Sequence, residues 1–255
     1  MRYELLGPFR VIDDDKESFV SARKLETVLA SLVIRADHVV TPDQLTTELW
    51  GDDPPRRAAA ALHVYISESR KFLHRAYHSQ SPIVTHLSGY LLRKGSDEID
   101  FHTFLALMNQ GRASARSGHY EEAASNLELA LAQWHGETVA DFRYGPITEG
   151  FATWMSESRI DCIELLADTQ LQLGRHRELV GPLYSLTAEY PLRETFYRQL
   201  MLALYRSERQ ADALEVYRRA RATLQDALGL EPCQTLRNLQ RAILTDDHML
   251  EFTAI

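Results

Sequence analysis

One stretch of this acidic chain gathers most of the residues that could do chemistry. Between Pro54 and Lys94 stand Arg56, Arg57, Arg70, Lys71, Arg75, Arg93 and Lys94, against Glu68 alone, a net of +6. The same window holds His63, His74, His78 and His86. Guanidinium and ammonium groups set close together bind phosphate, by charge and by charge-assisted hydrogen bonds. Arg70, Lys71 and Arg75 are the first candidates for a phosphate clamp, although cations also suit a helix C-terminus for electrostatic reasons alone. Arg56 and Arg57 fall at the start of a predicted helix, where positive charge opposes the dipole. That small penalty indicates another use, contact with a nucleic-acid backbone. His63 is placed to donate to guanine or phosphate, and equally to lie idle on the surface. Arg93 and Lys94 close a predicted hairpin and would lie over an adjacent groove.

Other chemistry finds less support. His74 and His78 are spaced i, i+4, as a zinc site could use, but no third ligand stands at a recognisable spacing. Ser21 to Lys24 reads "SARK", matching the S-x-x-K string of a serine nucleophile, without its companion strings. There is no P-loop, H-E-x-x-H, G-x-S-x-G or G-x-G-x-x-G pattern. No cofactor, no metal and no catalytic residue are therefore expected, and the protein is not expected to be an enzyme. Cys162 and Cys233 match no metal spacing and read as buried, reduced side chains, which points to a cytoplasmic protein. The start, "MRYELLGPFR", does not read as a signal peptide, and no apolar run is long enough to span a membrane.

The elements that must carry the cations follow from the pattern around them. "YELLGPFRVI", broken at Gly7-Pro8, and "SFV" beyond the charged turn "DDDKE" predict a small antiparallel sheet. Leu25, Leu29, Leu32 and Val33 predict a helix over 22–36. In "TPDQLTTELW", Thr41 suits an N-cap, Pro42 the first helical position and Gln44 the reciprocal capping-box position; Gly51 ends this second helix. A third helix runs from near Pro55 to about Arg75, with Leu62, Ile66, Ser69 and Leu73 on its inner face. "IVTHL" and "YLLRK", joined through Ser88-Gly89, predict a hairpin. Strands, two helices joined by a short link, a basic helix and a hairpin make the order of a winged helix-turn-helix, with the third helix in the major groove and the hairpin on the flanking backbone.

The remainder is acidic and helical. Residues 1–96 carry 13 Lys/Arg against 12 Asp/Glu, and residues 97–255 carry 15 against 24. A basic window joined to an acidic half is the asymmetry of a nucleic-acid reader attached to a protein-contacting module. Three turn-and-helix starts recur, "SGHYEEAASNL", "LGRHRELVGPL" and "SERQADALEVY". The second and third turns, at Gly174 and Glu208, are 34 residues apart, the tetratricopeptide period. The first, at Gly118, precedes Gly174 by 56, the excess lying in "HGETVADFRYGPITEG". Helix pairs of this kind must stack to bury their apolar faces. "EPCQTLRNLQRAI" predicts a closing helix after Pro232. Tyr184, Tyr190, Tyr197, Tyr205 and Tyr217 read as packing residues of the stack.

These motifs together resemble the Streptomyces antibiotic regulatory protein family, over nearly the whole chain. They are "LLGPFRV", "VVTPDQLTTELWGDDPP", "LHVYISESRKFL", "GYLLR" and, most specific, "PLRETFYRQLMLALYRSERQADALEVYRRARATLQDALGLEP". The resemblance implies a mainly α fold with small β-sheets: an OmpR-type winged helix-turn-helix over 1–96, then an all-α, tetratricopeptide-like bacterial transcriptional activator domain over 97–255. It implies an activator of antibiotic biosynthesis genes that binds tandem direct repeats in double-stranded DNA beside a second copy of itself. Partners would be RNA polymerase, through its sigma factor and the C-terminal domain of its alpha subunit, and the location would be the nucleoid. Base-reading positions carried over are Ala60, His63, Ser67, Glu68, Arg70 and Lys71, with a wing from Thr85 to Arg93 that includes His86. With no receiver domain ahead of the first strand, control is expected through protein concentration or a ligand of the repeats.

Three departures from the family pattern stand out. Ser69 occupies an inner position where relatives carry Leu, and a hydroxyl there loses ~1–2 kcal/mol of burial unless it is hydrogen-bonded. Glu68 replaces a basic residue, so it either accepts from a cytosine amino group or weakens binding. The wing tip "HLSG" lacks the family's Arg and Pro. The rival reading from another class is an adaptor whose repeats bind a peptide while the N-terminal domain is merely structural.

Overall fold

The computed structural model describes residues 1–13, 16–75, 81–136 and 145–245, without the side chains of His74 and Arg75. The chain forms two compact units. One comprises residues 1–108 and 129–160, the other 109–128 and 161–255. The fold is mainly α with small sheets, as expected.

In the first unit, β1 (Arg2–Glu4), β2 (Arg10–Asp13) and β3 (Lys16–Phe19) form an antiparallel meander, and β6 (Glu98–Ile99) adds to β1 in parallel, giving the order β3-β2-β1-β6. Tyr3, Leu5, Leu6, Phe9 and Val11 turn their side chains into the core. Sequence pattern does not predict the parallel β6 strand, because two residues carry no readable alternation. Helix α1 (Arg23–Ile34) buries Val28, Leu29, Leu32 and Val33. Helix α2 (Pro42–Trp50) starts on the predicted capping box, Gln44 N–H donating to Thr41 Oγ1 at 3.2 Å and Thr41 N–H to Gln44 Oε1 at 2.9 Å. Helix α3 spans Ala58–Arg75 and the hairpin pairs β4 (Ile83–His86) with β5 (Gly89–Leu92).

The hairpin tip is therefore Leu87-Ser88, not the expected Ser88-Gly89 junction. Gly89 is needed for a close approach. A Cβ there would stand 2.1 Å from the Val40 carbonyl oxygen, where Val40 and Tyr90 exchange backbone hydrogen bonds of 2.8 and 2.9 Å. Asp37, at φ +63°, donates its N–H to Leu92 O at 2.8 Å and accepts from Lys94 N at 3.0 Å. The link between α1 and α2 is thereby fastened to the hairpin.

Buried carboxylates tie distant segments of this unit. Asp100 opens α4 (Asp100–Arg116) and accepts from the N–H groups of Leu5 and Leu6, both at 2.7 Å, and of Phe101. Burial pushes its carboxyl up to about 6 against the lowering effect of those donors. Glu48, on α2, caps the first turn of α6 (Pro146–Gln172). It accepts from Ile147 N, from Thr148 N at 3.3 Å and from Thr148 Oγ1 at 2.9 Å.

The second unit holds α5 (Tyr120–Leu131) up to residue 128, α7 (His176–Glu189), α8 (Glu194–Arg206), α9 (Gln210–Leu228) and α10 (Gln234–Leu244), with parts of α4 and α6. The three predicted repeat turns share one backbone geometry. Gly118, Gly174 and Glu208 have φ of +76°, +74° and +63°. The next residue's N–H reaches back five positions in each, His119 to Ser114 O, Arg175 to Gln170 O and Arg209 to Leu204 O, at 2.9 to 3.0 Å. This is the Schellman C-cap, repeated three times. At the start of α8 and within it, Arg193 and Arg198 pair with Asp161 and Asp168 on α6, at 3.0 and 2.8 Å. The expected closing helix, α10, buries Leu236, Leu239 and Ile243. Tyr197, Tyr205 and Tyr217 are buried packing residues, Tyr184 and Tyr190 half-buried. Cys162 is buried, and desolvation pushes its thiol up to about 12. Cys233 corrects the expectation of burial: it is exposed, because it stands at the N-cap of α10 rather than inside a helix face. Among the described residues no helix is long and apolar enough to cross a membrane.

Candidate nucleic-acid interface

Helix α3 divides cleanly into two faces. Leu62, Ile66, Ser69 and Leu73 are all buried, as the periodicity requires. Ala60, His63, Val64, Ser67, Glu68 and Lys71 are all exposed on the other side. Arg56 and Arg57 occupy a turn just ahead of α3, which begins at Ala58 rather than near Pro55. Arg57 O accepts the Ala61 N–H at 3.0 Å, so Arg57 stands at the helix entrance with its side chain exposed. Among the described residues Arg56, Arg57, Lys71 and Arg93 have no ion-pair partner, so their charges face solvent unneutralised.

Arg70 is differently placed. Its Nε donates to Ile83 O at 3.1 Å and its Nη2 to Thr85 Oγ1 at 2.7 Å. The guanidinium fork thus braces the hairpin against α3, a task Lys could not reproduce with its single ammonium. The same hydrogen bond fixes the Thr85 side chain. His63 has a second brace: its Nδ1 lies 3.0 Å from the Tyr90 hydroxyl, the two rings edge to face. Tyr90 carries no signal of this role in the sequence, because only the tertiary fold sets β5 beside the start of α3. With Nδ1 engaged, His63 presents Nε2 outward.

On the hairpin, Ser88 N–H donates to His86 Nδ1 at 3.3 Å, which places the neutral ring's proton on Nε2. Leu87 at the tip is fully exposed. Arg93 follows β5 and is exposed, its N–H donating to Pro82 O at 2.9 Å; Lys94 is half-buried. The side chains of Arg75 and His74, and His78 entirely, lie outside the described residues, and so does the phosphate-clamp expectation for Arg75. Among the described residues no group of three metal-ligating side chains occurs. Ser69 Oγ is buried at 0% exposure and finds no hydrogen-bond partner among the described residues.

A helix-turn-helix with a braced hairpin, followed by stacked helix pairs, defines a transcriptional regulator of the winged-helix class, and known proteins agree. Residues 17–92 match the family model "Transcriptional regulatory protein, C terminal", and residues 99–244 match "Bacterial transcriptional activator domain". The chain is 33% identical over 253 residues to regulatory protein DnrI of Streptomyces peucetius, covering 97% of this chain and 93% of DnrI. It is 35% identical over 250 residues to transcriptional regulator RedD of Streptomyces coelicolor, covering 97% and 71%. It is 36% identical over 243 residues to transcriptional regulatory protein EmbR of Mycobacterium tuberculosis, but spans only 63% of EmbR's length. A solved structure of Mycobacterium tuberculosis EmbR with a low-affinity phosphopeptide superposes with a TM-score of 0.91 at 34% identity, covering 99% of this chain and 68% of that one. The chain belongs to the Streptomyces antibiotic regulatory protein family.

Proposed function

We propose that this protein is a sequence-specific DNA-binding activator of a secondary-metabolite gene cluster, acting in the cytoplasm on the nucleoid. Residues 1–96 bind DNA and residues 97–255 act as the activator domain, a functional division distinct from the division into compact units. Two copies sit on tandem direct repeats, each with α3 in the major groove. The acidic helical domain, excluded from the polyanion by its own charge, meets RNA polymerase through the sigma factor and the C-terminal domain of the alpha subunit. The observation that carries the reading is the exposed face of α3, which carries Lys71 and is preceded by Arg56 and Arg57, cations with no ion-pair partner among the described residues, and which is flanked by a hairpin that Arg70 braces. In this reading Ala60, His63, Ser67 and Glu68 face base edges, Thr85, His86 and Lys94 line the wing, and Arg70 contributes charge while holding that wing in place.

Salt dependence tests the proposal. If Arg56, Arg57, Arg70, Lys71 and Arg93 displace counterions, log affinity should fall with log salt at a slope of roughly −4 to −5 per copy. The protein should also retain promoter repeats over random duplex at moderate salt. A flat response would favour a protein-binding adaptor instead. Glu68→Ala should change base preference if the carboxylate accepts from a cytosine amino group, or raise general affinity if it only repels the nearby phosphates.

A further inference from the structure

The exposed face of α3 carries an apolar residue that its cationic setting does not explain. Val64 is 54% exposed. At 3.6 residues per turn, Ala60, Val64, Ser67 and Lys71 form one stripe along the middle of that face, while His63 and Glu68 lie to either side of it. Scattered single apolar residues on a surface call for no explanation. Val64 is not scattered: it stands at the centre of the surface that Arg56, Arg57 and Lys71 bracket, with the Ala60 methyl one turn before it. It also has a fixed shape, since β-branching holds a helical Val to one χ1 rotamer, so its two methyls occupy defined positions.

We infer that Val64, with Ala60, is a specificity-determining residue that packs on the C5-methyl of a thymine in the major groove. This rests on the DNA-binding reading above and adds to it the chemistry of one contact. Val64 has no donor or acceptor, so it cannot read the hydrogen-bonding edge of any base. The thymine methyl is the one apolar feature that a base pair presents in the major groove. Burying that methyl against Val64 makes thymine preferred over every base without it, including deoxyuracil, which has the same hydrogen-bonding groups.

The test uses the full chain and a duplex that it selects from random sequence. Each thymine of the selected site is replaced in turn by deoxyuracil, and affinity is measured by fluorescence anisotropy at fixed salt. One thymine per repeat should show a loss of about three- to five-fold on removal of its methyl. Val64→Ala, which suits the helix better than Val and changes no charge, should erase most of that loss and leave the salt slope as in the parent protein. A parent protein that selects a sequence but is indifferent to deoxyuracil at every thymine would overturn the inference and leave the DNA-binding reading standing. The same holds if Val64→Ala responds to deoxyuracil as strongly as the parent does. Selection that enriches no sequence would overturn both.

Discussion

Individual side chains on α3 divide between those that hold the fold and those that, in the proposed function, meet DNA. Ser69 belongs wholly to the fold. Its buried hydroxyl has no partner among the described residues, and a buried hydroxyl without a hydrogen bond costs about 1–3 kcal/mol. Ser69→Ala should raise stability by about 1 kcal/mol in urea unfolding, and a lower midpoint would show that the hydroxyl is satisfied in solution. Ser69→Leu should add apolar burial if the site has room. Neighbouring cations separate the two roles. Lys71 has no ion-pair partner among the described residues, so Lys71→Ala should weaken binding to all sequences alike and make the salt slope shallower by about one. Arg70→Lys keeps the charge but loses the fork to Ile83 O and Thr85 Oγ1. Affinity should therefore fall while the salt slope stays at the parent value; a slope change without loss of affinity would contradict the brace.

Each repeat turn in the helical unit needs one left-handed residue. Gly118 and Gly174 supply it without strain, whereas Glu208 holds the same geometry with a Cβ. A non-glycine residue in the left-handed region costs roughly 1–2 kcal/mol, set against the extra unfolded-state entropy of glycine. Glu208 is exposed and its side chain makes no hydrogen bond or ion pair among the described residues. Glu208→Gly should thus stabilise the helical unit by about 1 kcal/mol, read as a raised thermal midpoint. A lowered midpoint would mean that the Glu208 side chain contributes more than its backbone strain costs. In the hairpin the constraint is spatial: any side chain at position 89 would collide with the Val40 backbone, which is why the β5 strand begins on glycine.

At the scale of the whole molecule, charge bears both on the proposed approach of DNA and on how stability responds to pH. The net of +6 between Pro54 and Lys94 lies in a chain of net −8, so on the proposed function the attraction for DNA would be local and the net charge of the remainder would oppose it. Asp100 links the end of β1 to the start of α4, and its carboxyl is pushed up to about 6 from an ordinary 3.8. Between those values the folded protein binds the proton more tightly than the unfolded chain. The contribution of this group is therefore most favourable below about pH 4 and is lost as pH rises through about 6. Relative to Asp100→Asn, which does not titrate, the parent protein should lose on the order of 2–3 kcal/mol from about pH 4 to about pH 7. Parallel urea unfolding of the two across that range checks the sign, and a parent protein that gains stability relative to Asp100→Asn as pH rises would refute it.

Local pattern was enough for much of this protein. Helix α2 with its capping box, the inner face of α3, the hairpin and the three repeat turns were all legible, because periodicity, caps and positive-φ turns act over a few neighbouring residues. The cations of the candidate interface were legible for the same reason, as a composition shift within one window. What the sequence could not show is which side chains meet across long separations. Arg70 bracing Ile83 and Thr85, Tyr90 orienting His63, Asp100 binding Leu5 and Leu6, and Glu48 capping α6 about a hundred residues away all depend on how the elements pack. No short-range spacing records such partners, so Glu48 reads in sequence as one more polar residue of a surface helix. Local chain preferences chose the elements; burial and long-range hydrogen bonding, which exist only once the elements pack, decided which polar groups hold the fold and which, among the described residues, stay exposed to solvent.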